Sequence, residues 1–391
     1  MAKSIHMTPV AVFDISSSSV AGAHTLIPKG AEVADSKVSI LASTRLFSEL
    51  KEEITIERFV EQSIAQLGKV ITTLKKADNH HPKYIQVLLA SPWFVSQTRT
   101  ITYNKTTDFT CTQKLIDELV AKEVAYIIEH DMERFGSIGN DAVIIEKQIS
   151  MIKLNGYSTT KPFGKKAQTL ELFLVVTVSP KSIIERFKNE IQKGYGGISI
   201  GFTTSPYATF VTARDFLNAG HEFIIVDVGE EVTDVAFIKD GLFLYQHSFP
   251  TGIYELYRAL VASGVASTTE AGALIESFSQ GKLSAAATSS IQKGLDNFGE
   301  IWQKSFQKVV NDGGLAMKMA SNCYVICDHR FGNFFSGMLK NDLLLRHVSG
   351  STEVEPTAIN YELLSSHVSS LDPGNVDETI VVASLFAFRL L

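Results

Sequence analysis

Cysteine is nearly missing from this chain. Its three copies, Cys111, Cys323 and Cys327, are too few for a disulfide framework, and the Cys323–Cys327 spacing has no second pair to complete a zinc site. Runs of like charge are missing too. The net charge is -6 with acids and bases interspersed, which argues against a basic nucleic-acid surface. The longest apolar run, Ile380 to Phe388, is about half of what a membrane-spanning helix needs. At the start, MAKSIHMTPVAVFD holds too short an apolar segment for a signal peptide before Asp14 interrupts it. No segment is poor enough in apolar residues to read as disordered. Together these absences lead us to expect a soluble, cytoplasmic protein in a reducing compartment.

What is present is enough apolar sequence for more than one core. With 391 residues, 45% of them hydrophobic, the chain is too long for a single compact unit. Val10 to Ile15 reads as a short apolar strand ending in Asp14 and a serine run, followed by a second strand over Ala21 to Leu26. An amphipathic helix is expected from Thr55 to Lys76, then a buried strand from Tyr84 to Ser91. A smaller unit follows: a strand near Arg99–Tyr103, a helix from Thr112 to His130, and two strands near Ala142–Ile149 and Met151–Gly156. Lys161 to Gln168 reads as a polar, flexible exit, and the boundary between lobes is placed at Asn218 to His221. Beyond it the opening pattern returns. VFDISSSSVAGAHT in the first part and IIVDVGEEVTDVAF in the second each place an aspartate at a strand end before a tight turn and another strand. Helices are expected over 252–261, 268–278, 285–310 and 377–391, with a strand at Cys323–Cys327.

These two strand–Asp–turn–strand units resemble the phosphate loops of the bacterial actin homologues FtsA, of cell division, and PilM, of type IV pilus assembly. The first loop is Asp14-Ile15-Ser16-Ser17-Ser18-Ser19-Val20; the second is Asp227-Val228-Gly229-Glu230-Glu231-Val232-Thr233-Asp234. Lys239-Asp240-Gly241-Leu242, Pro250-Thr251-Gly252 and the closing VVASLFAFRL continue the resemblance, which spans the chain. It implies an α/β, actin-like (ribonuclease H-like) two-lobe fold with an inserted strand–helix–strand–strand subdomain. Lobe I would be 1–97 and 169–217, the insert 98–168 and lobe II 218–391. It also implies that ATP and magnesium could sit between the lobes. Ser16, Ser17, Ser18, Gly229, Glu230, Glu231, Thr233, Asp234 and Glu270 would then lie at the nucleotide, and Asp14 and Asp227 at the metal and the attacking water.

The departures from the family pattern point away from ATP. Glu230 and Glu231 replace glycines at the second loop, and two carboxylates would repel a triphosphate by roughly a few kcal/mol each. The base-side segment Cys327-Asp328-His329-Arg330-Phe331-Gly332 lacks its glycine pair, and Glu270 keeps only part of its helix motif. The expectation is a scaffold with weak or absent ATP binding; the alternative is a polymerising Mg-ATPase. Partners implied by resemblance are a tubulin-like division GTPase or the N-terminal peptide of a membrane protein, together with self-association. Several local readings stay open. Asp14 and Asp227 could simply end core strands. Glu230, Glu231 and Asp234 could form an exposed acidic turn, or an acidic cleft for a cation or a basic partner segment. Arg330 and His329 could replace a phosphate contact. Trp93 and Phe94 read as packing residues, and the apolar C-terminal helix as part of the body rather than a membrane anchor.

Overall fold

The computed structural model describes residues 6–29, 37–48, 56–131, 141–264, 268–279, 282–313, 322–340, 355–373 and 376–391. Three sheets organise them. The first contains β1 (Met7–Ile15), β2 (Ser19–Pro28), β3 (Val38–Phe47), β4 (Tyr84–Leu89), β9 (Ile200–Thr204) and β15 (Val368–Ser370), in the order β15-β3-β2-β1-β4-β9. The second contains β10 (Phe223–Val228), β11 (Thr233–Lys239), β12 (Leu242–Phe249), β13 (Asn322–Ile326) and β14 (Glu355–Ala358), in the order β12-β11-β10-β13-β14. The likeness between the two opening segments extends to topology. β1 pairs antiparallel with β2 and parallel with β4, and β10 pairs antiparallel with β11 and parallel with β13.

Because strand side chains alternate between faces, each central strand feeds two cores. Val10 and Val12 of β1, with Phe223 and Ile225 of β10, face a shared layer made by α4 (Ser205–Phe216) and α9 (Glu378–Leu390). Ala11, Phe13 and Ile15 face outward to α1 (Ile56–Ala77) and α3 (Lys181–Tyr195). Ile224, Val226 and Val228 face α5 (Ile253–Ala262), α6 (Thr268–Ser279), α7 (Ala285–Gly313) and α8 (Gly332–Lys340). The same parity puts Asp14 on the face of Val10 and Val12, and Asp227 on the face of Phe223 and Ile225. Both aspartates therefore point to the N-terminal ends of the two shared helices.

The third sheet is β5 (Val95–Thr110), β6 (Ala142–Leu154), β7 (Tyr157–Ser158) and β8 (Lys166–Pro180), ordered β5-β8-β6-β7, with α2 (Gln113–Asp131) packed against it. It is tied to the first lobe through Glu146. That carboxylate accepts from the Thr203 hydroxyl, from Thr204 N at 2.8 Å and from Thr204 Oγ1 at 2.9 Å, at the N-terminal end of α4. An anion there also gains from the helix dipole. Replacing Glu146 with alanine strands these donors, at a cost of about 1–3 kcal/mol. We expect faster amide hydrogen exchange at Thr204 and in the first turn of α4; unchanged exchange there would refute the coupling.

Several sequence expectations need correction. The two strands expected at 142–149 and 151–156 are one strand, β6, bulged between Ile144 and Glu146 and between Ile149 and Met151, followed by a two-residue β7. The segment read as a flexible exit already enters β8 at Lys166. Thr55, where the first helix was expected to open, lies outside the described residues. The end of the chain does not stay with the second sheet. β15 pairs with β3, and α9 packs on β1, β2, β3 and α4, so the stretch from Val368 onward completes the first lobe and its shared layer. Its buried surface explains why α9 is apolar nearly all round. Trp93 and Phe94 are each 1% exposed, as packing residues should be. No helix among the described residues is long and apolar enough to cross a membrane.

Candidate functional site

The two turns that follow Asp14 and Asp227 face one another across the junction of the lobes. Ser16 N bonds to Ser19 O at 3.0 Å, closing the first turn, and Gly229 N bonds to Val232 O at 3.0 Å, closing the second. The first turn is propped from below by Trp93, whose indole Nε1 donates to Ser16 O at 2.9 Å. The second is seated on the N-terminus of α5, where Ile253 N donates to Gly229 O at 3.0 Å and Tyr254 N to Glu230 O at 2.7 Å. A Cβ at Gly252 would lie 2.4 Å from Gly229 O and 2.5 Å from Glu230 O, so only glycine allows this seating. The Pro250-Thr251-Gly252 motif is thus explained by the turn it holds.

Glu230 points across the junction into the serine turn. Its Oε2 accepts from Ser16 Oγ at 2.6 Å, Ser17 Oγ at 3.2 Å and Ser18 N at 3.4 Å, and its Oε1 accepts from Ser19 Oγ at 2.5 Å. Ser17 Oγ in turn accepts from Glu231 N at 3.0 Å. This overturns the reading of Glu230 as part of an exposed acidic turn: it is 6% exposed, because four donors replace the water it leaves. Glu231 behaves differently and pairs with Arg258 on the surface of α5, at 2.8 Å.

Beside this contact lies a guanidinium that sequence reasoning missed. Arg45, at the end of β3, donates to Asp14 Oδ2 at 2.7 Å, to Asp377 Oδ1 at 2.9 Å through Nη2 and to Asp377 Oδ2 through Nε. It also donates to Thr379 Oγ1 at 2.6 Å and to Ser19 Oγ, and its Nη1 lies 3.9 Å from Glu230 Oε1. Asp377 caps α9 through Thr379 N and Ile380 N. Burial works against the charge on Asp377, but the guanidinium and the cap donors outweigh it and hold its pKa below the ordinary value. For Asp14 burial wins over Arg45, and the carboxyls of Asp377 and Glu230 add to it, so its pKa is raised. Asp227 is raised well above the ordinary value by burial and by Asp234, although Ser205 Oγ donates to it at 2.6 Å.

The remaining predicted residues divide. Asp14, Ser16, Asp227, Gly229 and Glu230 line one cavity of about 510 Å³, together with Arg45, Tyr254, Tyr257, Cys327, Asp328, Arg330, Asp377 and Glu378. Ser17 and Ser18 are spent on Glu230. Thr233 is turned into the second core, donating to Thr251 O at 2.7 Å and accepting from Trp302 Nε1 at 3.2 Å. Asp234 is buried against Ser91, whose N and Oγ donate at 3.3 and 2.7 Å, and against Ser248. Neither lines the cavity, and Glu270 is exposed on α6. Arg330 is committed to Asp328 at 2.6 Å; the side chain of His329 lies outside the described residues.

These residues do not fit a magnesium triphosphate in the arrangement seen. The hydroxyls of Ser16, Ser17 and Ser19 and the Ser18 N–H are taken by Glu230, so a phosphate seeking them would have to displace a carboxylate. The cavity wall also carries six carboxyl groups (Asp14, Asp227, Glu230, Asp328, Asp377, Glu378) against two guanidiniums. Among the described residues no group of three or more His, Cys, Asp or Glu side chains is arranged to hold a metal ion.

No protein-family profile and no curated protein matches the chain. Solved structures do. A chain of the PilM–PilN type IV pilus biogenesis complex is 15% identical, with 97% of this chain and 96% of that one covered and a TM-score of 0.60. The ethanolamine utilization protein EutJ from Carboxydothermus hydrogenoformans is 11% identical, with 97% and 88% covered and a TM-score of 0.45. A Bacteroides thetaiotaomicron protein with actin-like ATPase fold and unknown function is 10% identical, with 97% and 96% covered and a TM-score of 0.38. The likeness to the pilus-complex chain runs through nearly all of both chains, and it shows the fold: this protein has the actin-like two-lobe fold with an inserted α+β subdomain.

Proposed function

We propose that this chain is an actin-like assembly protein that works without bound nucleotide, its lobes joined by its own side chains where related folds hold Mg-ATP. The observation that carries the reading is the Glu230 carboxylate seated in the serine turn 214 residues away in sequence. The likeness to a chain of a pilus biogenesis complex favours pilus-type machinery over division, and with it a partner peptide from a membrane protein rather than a tubulin-like GTPase. In that setting the chain acts on the cytoplasmic face of the membrane, recruited through its partner and through copies of itself.

Mg-ATP titrated against the full chain, followed by thermal shift and calorimetry, is expected to give no response up to millimolar concentration. The Glu230→Gly/Glu231→Gly double substitution clears the turn and is expected to gain binding. Micromolar binding of Mg-ATP by the unaltered chain would sink the proposal. It would instead favour a polymerising Mg-ATPase, the reading that the cavity of about 510 Å³ beside Asp14 and Asp227 supports.

A further inference from the structure

We infer that the serine turn and Arg45 form a binding site for a small monoanionic oxyanion, and that its resident ligand is the Glu230 side chain. The inference deepens the proposed function and rests on its reading of Glu230 as the group that takes the place of a ligand. Three hydroxyls and one backbone N–H converge on a single carboxylate, from 2.5 to 3.4 Å. Hydroxyls aimed together at one buried point need an acceptor there, since each would otherwise be desolvated without a partner. The turn is also fixed independently of Glu230. Its closing bond from Ser16 N to Ser19 O and its prop from Trp93 belong to the first lobe alone. The donors are therefore preorganised, and the carboxylate arrives from the other lobe as a guest.

The surroundings set the charge that the site accepts. Arg45 brings one positive charge near, but Asp14 and Asp377 already share it, at 2.7 and 2.9 Å. Asp227 lines the same cavity. One negative charge is compensated by the convergent donors; two or more meet these carboxylates at close range. A carboxylate or a singly charged phosphate suits the site, and a di- or polyanion such as pyrophosphate does not. In the intact chain this chemistry makes Glu230 a tie between the lobes: releasing it leaves the two turns bridged by Glu231 N to Ser17 Oγ at 3.0 Å and breaks neither hairpin.

The test is chemical rescue. In Glu230→Ala, sodium acetate is expected to raise the thermal midpoint over sodium chloride at equal ionic strength. Its half-saturating concentration should be at least ~10-fold lower than any acetate response of the unaltered chain, which has its own carboxylate in place. Pyrophosphate is expected to give no specific rise. Glu230→Gln fills the space with an amide and should not respond to acetate. If Glu230→Ala is recovered only as aggregate, the yield of folded protein on refolding in acetate against chloride gives the same reading. Equal effects of acetate and chloride on Glu230→Ala would overturn the inference, as would an acetate response in Glu230→Gln or a stronger response to pyrophosphate. The outcomes separate from those for nucleotide. Mg-ATP binding by the unaltered chain with acetate rescue intact removes only the functional reading; no rescue and no ATP binding removes only the oxyanion site.

Discussion

Replacing Arg45 with methionine is expected to cost the protein about 3–5 kcal/mol, the range found when one partner of a buried ion pair is removed and the other stays. Methionine keeps the apolar stem but leaves Asp14, 2% exposed, and Asp377 facing each other and Glu230 with no cation between them. Arg45→Lys should fall between the two. It restores one charge but cannot serve Asp14, Asp377, Ser19 and Thr379 at once, as the planar fork does.

The pH dependence gives this prediction a sign. In the intact protein the Asp377 pKa is held below its ordinary 3.8, so its contribution is fully present above that value and is lost as pH falls through the depressed folded pKa. Asp14 runs the other way: its folded pKa is raised, so it favours the folded state at low pH and weighs against it once pH climbs past 3.8. Without Arg45 the pKa of Asp14 rises further, and at Asp377 only the Thr379 and Ile380 donors still oppose burial, so its pKa moves upward too. Urea midpoints of Arg45→Met should therefore improve relative to the unaltered protein as pH is lowered from neutrality toward 5. A loss under ~1 kcal/mol, parallel at both pH values, would show that the network contributes little.

The parts of this site that could be read in the sequence are those written into local pattern. Six buried residues from Phe223 to Val228 with an aspartate at the fifth position announce a central strand with Asp227 on the face of Phe223 and Ile225. The opening strand does the same for Asp14. Parity also explains why one motif residue leaves the cavity: Thr233 shares the outer face with Val235 and Phe237, so its hydroxyl belongs to the second core. What could not be read depends on distance along the chain. β3, β14 and β15 are short or mixed in polarity, and the sheets complete them through partners far away in sequence. Arg45 is one basic residue in such a strand, and nothing near it signals that Asp377, 332 positions on, will meet it. Glu230 lies between these cases. Its residue type already marked the second turn as hostile to phosphate, but its direction depends on the serines opposite. Once they are known, the same substitution reads as a replacement for the ligand rather than only a loss of the site.

That surplus of acid has a measurable consequence one residue beyond the Arg45 partner. Glu378, in the first turn of α9, is 5% exposed and lines the cavity. Burial, then the neighbouring Asp377 and Asp328, pushes its pKa from 4.5 up to about 8, and Arg45 only partly offsets them. Because the folded pKa lies above the unfolded one, the folded state binds the extra proton. Its favourable contribution is complete below 4.5 and disappears as pH rises to about 8. Taken at face value that shift is worth roughly 4–5 kcal/mol. Water reaching the carboxyl through the cavity brings the expected effect to about 2–3 kcal/mol. Glu378→Gln holds the protonated form's shape at every pH. It should match the unaltered protein near pH 5 and exceed it at pH 8.5 by that amount, read from urea or thermal midpoints. Some slope should survive in the variant, since Asp227, also raised, still titrates behind it. A Gln variant no more stable than the unaltered chain at pH 8.5 would mean that the cavity compensates its carboxylates, and with that the argument against a triphosphate would lose its electrostatic half.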